Sequence, residues 1–303
     1  MKKNILVCGG TGFIGYHLAK AAIKKGYQVS SLSLKKPLKK RSLKKVKYIF
    51  CNTLNYNLLK KKLNGKYDII VNLSGHVNHF EKRKTFATHY NGCKNLAKIF
   101  TKKKIQSFVQ IGSGMENGKS KSPQLEKTNL KPSSNYALAK FKASNYLLKL
   151  YKKKKFPVTI LRVYQAYGPK QDNNRLIPFA ISQSIYDKKF PCTHGTQKRD
   201  FIFIDDLIKA IFKTIKTKKA KGEIFNVGSS SPIKVKNVIK KIVEIVGKGK
   251  PEFGKIKKRK DEIAKMFPNI KKSKKLLKWK PLVSIDKGLK LTVKSYLNEF
   301  NHP

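Results

Sequence analysis

Three residues stand in an order that could move a proton. Tyr136 and Lys140 are four apart in a stretch, Tyr136-Ala137-Leu138-Ala139-Lys140, that reads as helix, so they share one face. A tyrosine near its free pKa of about 10 is a poor base at neutral pH, and a neighbouring ammonium is expected to favour the phenolate and lower that value. The pair could then shuttle a proton to or from a substrate oxygen. Ser113 lies 23 residues before Tyr136 and directly follows an apolar strand at 108–111. Its hydroxyl could hydrogen-bond the reacting oxygen and fix its orientation without acting as a nucleophile. In a lysine-rich chain a Tyr-x-x-x-Lys by itself says little, so the value of the set lies in what precedes it.

The elements that must position this set begin at residue 5. An edge strand, Ile5-Leu6-Val7-Cys8, runs into Gly9-Gly10-Thr11-Gly12-Phe13-Ile14-Gly15, and the next ten residues place Leu18, Ala19, Ala22 and Ile23 on one helical face before Gly26 stops the helix. Strand, glycine turn and helix are the context a dinucleotide site requires. Gly9 would make the tight turn, Gly12 would admit a pyrophosphate close to the backbone, and Gly15 would let the helix pack on the strand. The helix N-terminus would meet the phosphate charge. A second strand at 28–34 ends in Leu32-Ser33-Leu34-Lys35-Lys36. An NAD-selective fold usually places an acid there, and Ser33 occupies the expected position. Its hydroxyl with nearby ammonium groups suits a 2′-phosphate, so NADP(H) is favoured over NAD(H). Further strands are expected at 46–51, 67–73, 158–162 and 223–228, and a helix at 85–101. Asn52 and Thr53 follow the third strand at the place of the adenine. After the fourth, Leu73-Ser74-Gly75-His76 offers small residues that would let the chain pass close to the cofactor.

This order of glycine loop, fifth strand ending in Ser, and Tyr and Lys on the next helix resembles the extended short-chain dehydrogenase/reductase family, in its branch of nucleotide-sugar epimerases and reductases. Asn91-Gly92-Cys93-Lys94-Asn95-Leu96 is similar to the family's Asn-Gly-Thr-x-Asn-Leu helix. Arg162-Val163-Tyr164-Gln165-Ala166-Tyr167-Gly168-Pro169 is similar to Arg-x-x-Asn-x-Tyr-Gly-Pro, with Gln165 in place of Asn. Arg199-Asp200-Phe201-Ile202-Phe203-Ile204-Asp205-Asp206 is similar to the family's Arg-Asp-Phe-x-x-Val-x-Asp segment, and the Phe253-Gly254 and Arg259-x-Asp261-Glu262 segments resemble the substrate-domain ending of these enzymes. The resemblance implies an α/β fold, a Rossmann doubly wound parallel sheet with a smaller C-terminal α/β lobe that binds the nucleotide sugar. The expected division is 1–168 plus 198–230 for the dinucleotide domain and 169–197 plus 231–303 for the lobe. It implies catalytic roles for Ser113, Tyr136 and Lys140. Cofactor binding falls to Gly9, Thr11, Gly12, Phe13, Ile14, Gly15, Ser33, Lys35, Asn52, Thr53, Leu73, Ser74, Gly75 and Asn91, together with Tyr136 and Lys140. Substrate contacts fall to His76, Ser113, Met115, Gln165, Arg199 and Arg259, the two arginines clasping the diphosphate through their planar forks. Asp200, Asp205 and Asp206 are expected to cap and hold loops, and Trp279 to pack. A homodimer is expected through the helices that carry Asn91 and Tyr136.

Within that frame the loop after Ser113 separates reactions. Dehydratases carry Thr-Asp-Glu there, whereas this chain has Ser113-Gly114-Met115 with Glu116 displaced by one. The fucose-synthase type carries a Cys where Met115 stands. A C4 epimerase or a 4-keto-sugar reductase remains, and the basic end of the second strand favours the reductase. The altered Gln165 and the Gly-Ser entry to the loop look most like the abequose and paratose synthase branch, which reduces CDP-4-keto-6-deoxy sugars.

Composition bounds the alternatives. The 303 residues hold 70 Lys and Arg against 16 acids, a formal charge of +54, yet only six of the basic residues are Arg. The 64 lysines recur along nearly every helix and loop with no base-reading module, which favours a general lysine bias over a nucleic-acid protein. A non-catalytic dinucleotide fold that binds RNA through its charge is the competing class, and the intact Ser113, Tyr136 and Lys140 speak against it. Four scattered cysteines suggest neither a disulfide framework nor a metal site and are expected in the core. No stretch reaches membrane-spanning length and the N-terminal apolar run is too short for a signal, so a cytoplasmic protein is expected.

Overall fold

The structure, a computed structural model, describes residues 2–76, 78, 81–127, 130–258 and 262–301. Its strands are β1 (Asn4–Cys8), β2 (Gln28–Ser33), β3 (Val46–Phe50), β4 (Ile69–Asn72), β5 (Ser107–Ser113), β6 (Val158–Val163), β7 (Gln165–Tyr167), β8 (Lys189–Cys192), β9 (Lys198–Arg199), β10 (Phe201–Phe203), β11 (Ile224–Val227), β12 (Ile233–Lys234), β13 (Lys250–Phe253) and β14 (Lys265–Met266). The helices are α1 (Phe13–Lys24), α2 (Tyr56–Lys62), α3 (Lys82–Phe86), α4 (Gly92–Phe100), α5 (Asn135–Lys154), α6 (Leu176–Ile185), α7 (Ile204–Lys216), α8 (Val235–Val246), α9 (Lys271–Leu277) and α10 (Ile285–Asn301).

Seven strands form one sheet in the order β3-β2-β1-β4-β5-β6-β11, every neighbouring pair parallel. The opening strand, expected at an edge, lies at the centre between β2 and β4. The reason is in its residues: Ile5, Leu6, Val7 and Cys8 are all fully buried, as a strand covered on both faces must be. The direction of winding reverses beside β1. Crossovers to β2 and β3 go one way and those to β4, β5 and β6 the other, which opens a crevice beyond the carboxyl ends of β1 and β4.

Helices cover both faces. One core joins the sheet to Leu18 and Ala22 of α1 and to Leu207 and Ile211 of α7, and continues into α6, α8 and α10 through Ile181, Val238 and Leu289. The other face is covered by Leu59 of α2, Leu96 and Phe100 of α4, and Leu147 of α5. Beyond the large sheet, β8 pairs with β13 and β9 lies between β12 and β14. Trp279 is buried and its ring N–H donates to the carbonyl of Asp206 at 3.0 Å. The Asp206 carboxylate accepts the amides of Leu282 and Val283, both at 2.8 Å, so these residues hold loops as expected. Cys8, Cys51, Cys93 and Cys192 are buried and free. Among the described residues no helix is long and apolar enough to cross a membrane.

Candidate active site

The glycine turn is shaped as the spacing requires. Gly9 has φ +81°, and a Cβ there would press on the Leu73 carbonyl carbon at 2.9 Å, so the turn after β1 touches the end of β4. A Cβ on Gly15 would strike the backbone of Gly9 and Gly10, which fixes glycine by helix-on-turn packing. Gly12 differs. A Cβ there would meet only the Gly9 oxygen, at 3.3 Å, and Gly12 is the N-cap of α1 with no side-chain cap and no acid in the first turn. The bare helix N-terminus and the space before it fit a pyrophosphate. Ser33, at the end of β2, accepts the Thr11 amide at 3.2 Å, which ties the expected ribose position to the glycine turn. Lys35 is exposed beside it. Phe13 is buried under the turn and Ile14 half-buried.

Other expected cofactor residues gather along the same crevice. Ser74 donates its hydroxyl to Asn72 Oδ1 at 2.5 Å, which shapes the turn after β4. Thr53 is buried, its carbonyl accepts from Asn95 Nδ2 at 2.9 Å, and a Cβ on Gly92 would meet its Oγ1 at 2.5 Å. Asn91 is exposed on the adjoining turn. The Asn52 side chain instead accepts the Leu54 amide at 3.0 Å, so it closes its own turn.

Ser113, Tyr136 and Lys140 converge. Ser113 is the last residue of β5, α5 starts at Asn135 behind the Ser134 cap, and the Tyr136 phenol is hydrogen-bonded with Ser113. Lys140 is buried and donates Nζ to the Ile111 carbonyl at 2.7 Å, 6.0 Å from the centre of the Tyr136 ring. That geometry corrects one expectation. The phenol is held above its ordinary pKa, not below it, because desolvation is the largest influence. The Ser113 hydrogen bond and Arg175 pull it down, and Glu116 pushes it up. The Lys140 ammonium is bound to a backbone carbonyl rather than to the phenol oxygen. Burial brings Lys140 itself down to about 8, opposed by Glu116 and then Cys93. A neutral phenol hydrogen-bonded to a serine is a proton donor.

The substrate side is less gathered. Met115 is half-buried with its amide on Ser113 Oγ at 3.2 Å, and Gln165 is exposed at the start of β7. His76 is half-buried with Nε2 on Glu81 Oε1 at 3.0 Å. Arg199 is almost buried, donates Nη1 to the Lys198 carbonyl at 2.8 Å and is paired through Nη2 with Glu262. Arg259 and Asp261 lie outside the described residues. Asp200 accepts the Ser229 amide at 2.7 Å and holds the loop after β11.

Two neighbours of Tyr136 escaped the sequence reading. His89 stands edge-on to the Tyr136 ring, centroids 5.0 Å apart at 80°, carried there by a π-helical turn, Ala87–Asn91, between α3 and α4. Gly75 has no room for a Cβ because the His89 ring lies against it. Arg175, at the N-cap of α6, acts on the phenol by its charge. The only signal for either is scarcity: His and Arg number six each in this chain.

A parallel sheet with a glycine cradle at its reversal point and a Ser–Tyr–Lys set beside it defines a class of dinucleotide-dependent enzymes. The chain matches the NAD dependent epimerase/dehydratase family over residues 5–228 and belongs to it. It is an enzyme of the extended short-chain dehydrogenase/reductase type, of the nucleotide-sugar epimerase and dehydratase kind, and it uses a nicotinamide dinucleotide. It is 27% identical to the dTDP-D-glucose 4,6-dehydratase of Mus musculus, over 99% of this chain and 90% of that one. With the CDP-abequose synthase of Salmonella muenchen it shares 26% identity over 96% of this chain and 97% of that one. The structure of UDP-glucuronic acid 4-epimerase from Bacillus cereus, in complex with UDP-glucuronic acid and NAD, superposes with a TM-score of 0.85 at 25% identity, over 98% of this chain and 99% of that one.

Proposed function

We propose that this enzyme reduces the C4 keto group of a nucleotide-linked 4-keto-6-deoxyhexose, a precursor of a cell-surface polysaccharide, with NADPH. The observation that carries the reading is the convergence of Tyr136 on Ser113, hydrogen-bonded together beside the glycine cradle, with burial holding the phenol above its ordinary pKa. Bound NADPH would supply the hydride. Ser113 orients the C4 oxygen, and Tyr136 gives its proton to the alkoxide that forms there. Lys140, held by the Ile111 carbonyl 6.0 Å from the centre of the Tyr136 ring, would bind the nicotinamide ribose and place positive charge near the phenol. Gly9, Thr11, Gly12, Phe13, Ile14 and Gly15 would hold the pyrophosphate; Ser33 and Lys35 would meet the 2′-phosphate and Thr53 the adenine, while Leu73, Ser74, Gly75 and Asn91 would line the middle of the cofactor. Substrate falls to the cleft between the 1–168 plus 198–230 unit and the 169–197 plus 231–303 unit, near His76, Met115, Gln165, Arg199 and Arg259, with a homodimer built through α4 and α5.

Elimination of water needs an acid close to the sugar. Positions 114 and 115 are Gly and Met, and Glu116 is turned inward with no exposure, which argues against a dehydratase. The second reading is a C4 epimerase working on retained NAD, favoured by the Bacillus cereus likeness. Denaturing the purified protein after a high-salt wash and identifying any released nucleotide separates the two. An emptied site that prefers NADPH to NADH supports the reductase, and tightly retained NAD overturns it in favour of the epimerase.

A further inference from the structure

Glu116 takes no part in the reaction as read above, yet it lies directly beneath the reacting set with no exposure to solvent. Its Oε1 accepts the Ser113 amide at 2.8 Å. Its Oε2 accepts the Ser144 hydroxyl at 2.9 Å and Arg162 Nε at 3.2 Å. The three donors come from three elements: Ser113 ends β5, Ser144 is on α5 and Arg162 is in β6. Tyr136, Lys140 and Ser144 recur every four residues on α5, so Ser144 continues the face that bears the other two. Gly112 has no room for a Cβ, because the same carboxylate lies against it. Ser113 Oγ accepts the Met115 amide at 3.2 Å, and the Ser113 side chain on the Glu116 backbone with the Glu116 side chain on the Ser113 amide forms a capping box that fixes the serine from both sides. Arg162 is fully buried too, and its Nη1 donates to Asn117 Oδ1 at 3.1 Å and to the Lys127 carbonyl at 2.7 Å. A buried ion pair is a weak source of stability compared with apolar packing. Here one carboxylate joins the strand end that carries Ser113 to the helix face that carries Tyr136 and Lys140.

We propose that Glu116 is a positioning residue: its carboxylate, held between the end of β5, α5 and β6, locks Ser113 in register with Tyr136 and Lys140. This rests on reading Ser113, Tyr136 and Lys140 as the reacting set. The groups facing Lys140 are Tyr136 on its own helix, Glu116 after β5 and Cys93 on α4, and its Nζ is bound to Ile111 of β5. Tyr136 is faced by Ser113, Glu116, Arg175 and His89. Glu116 raises the pKa of both Lys140 and Tyr136, so neutralising it lowers both.

Glu116→Gln keeps the size of the side chain and an acceptor for the Ser113 amide. NADPH binding, followed by nucleotide fluorescence from neutral pH to about pH 10, reads the charge on Lys140 without any sugar. Wild-type affinity should fall as pH rises through about 8. In E116Q the midpoint should lie lower. At neutral pH its kcat should fall about tenfold with KM within about twofold, as a misplaced serine would give. A folded E116Q with the wild-type midpoint and kcat would overturn the proposal. Should E116Q not fold, Ser144→Ala removes one donor and keeps the ion pair; about a threefold loss of kcat at unchanged KM supports positioning, and wild-type kcat rejects it. If the wild type reduces no 4-keto sugar, the proposed reaction fails, while the binding midpoint of E116Q still upholds or rejects the role of Glu116.

Discussion

At the scale of the residue, the account turns on which way protons are held. Tyr136 carries its proton because the pocket is desolvated, and Lys140 keeps its ammonium less firmly than an exposed lysine for the same reason. In the proposed reduction Tyr136→Phe removes the hydroxyl assigned to protonate the C4 oxygen. Turnover should drop by about a hundredfold or more while NADPH affinity measured by fluorescence stays within about twofold of wild type. The pH dependence follows with a definite sign. A reaction that needs the Lys140 ammonium is fastest below its pKa and declines as pH rises through about 8, so a kcat/KM profile flat across that range would contradict the assignment. The identities of Ser113, Tyr136 and Lys140 were legible because a strand end and one helical turn bring them together locally. The direction of the Tyr136 shift was not, since it depends on how deeply β5, α4 and α5 bury the set. His89 meets the Tyr136 ring from a π-helical turn and Arg175 acts on its phenol from the start of α6, and no periodicity announces either.

At the scale of the element, the turn between β1 and α1 separates two uses of glycine. A methyl on Gly15 would collide with the backbone of Gly9 and Gly10, so Gly15→Ala should cost about 3 kcal/mol in denaturant unfolding. Gly12 has φ −77°, which alanine adopts freely, and a methyl there meets only the Gly9 oxygen at 3.3 Å. Gly12→Ala should therefore change stability by less than about 1 kcal/mol yet weaken dinucleotide binding on the order of tenfold, by filling the space before the helix N-terminus. Equal stability losses in the two variants would contradict this division. The seven sheet strands and helices α1 and α5 were legible from their apolar spacing and motifs, whereas α6, α8 and α10 were not inferred. The central place of β1 was not inferred, although its unbroken burial is what a central parallel strand requires. The helix expected at 85–101 starts earlier, as α3, and carries the π-helical turn that a simple 3.6-residue pattern does not reveal.

At the scale of the whole molecule, positive charge is spread over the surface while some of the few acids are withdrawn: Glu116, Asp200 and Asp206 have no exposure. Such a surface should bind RNA or heparin at low salt with no sequence preference and release it as salt rises, because the attraction comes from displaced counterions. Retention of one RNA sequence at moderate salt would point instead to a selected nucleic-acid role. The fold and the reacting set do not depend on that charge, which is why both could be inferred through it. The choice of reaction could not be read so directly, since reductases and epimerases share Ser, Tyr and Lys. The decisive measurement is to mix the nucleotide-free enzyme with NADPH and a panel of nucleotide-linked 4-keto-6-deoxyhexoses, following absorbance of the reduced nicotinamide and the sugar product. The account predicts loss of one NADPH for each 4-hydroxy sugar formed. NADPH left unconsumed, with C4 epimers of a nucleotide sugar interconverting on retained NAD, would contradict it.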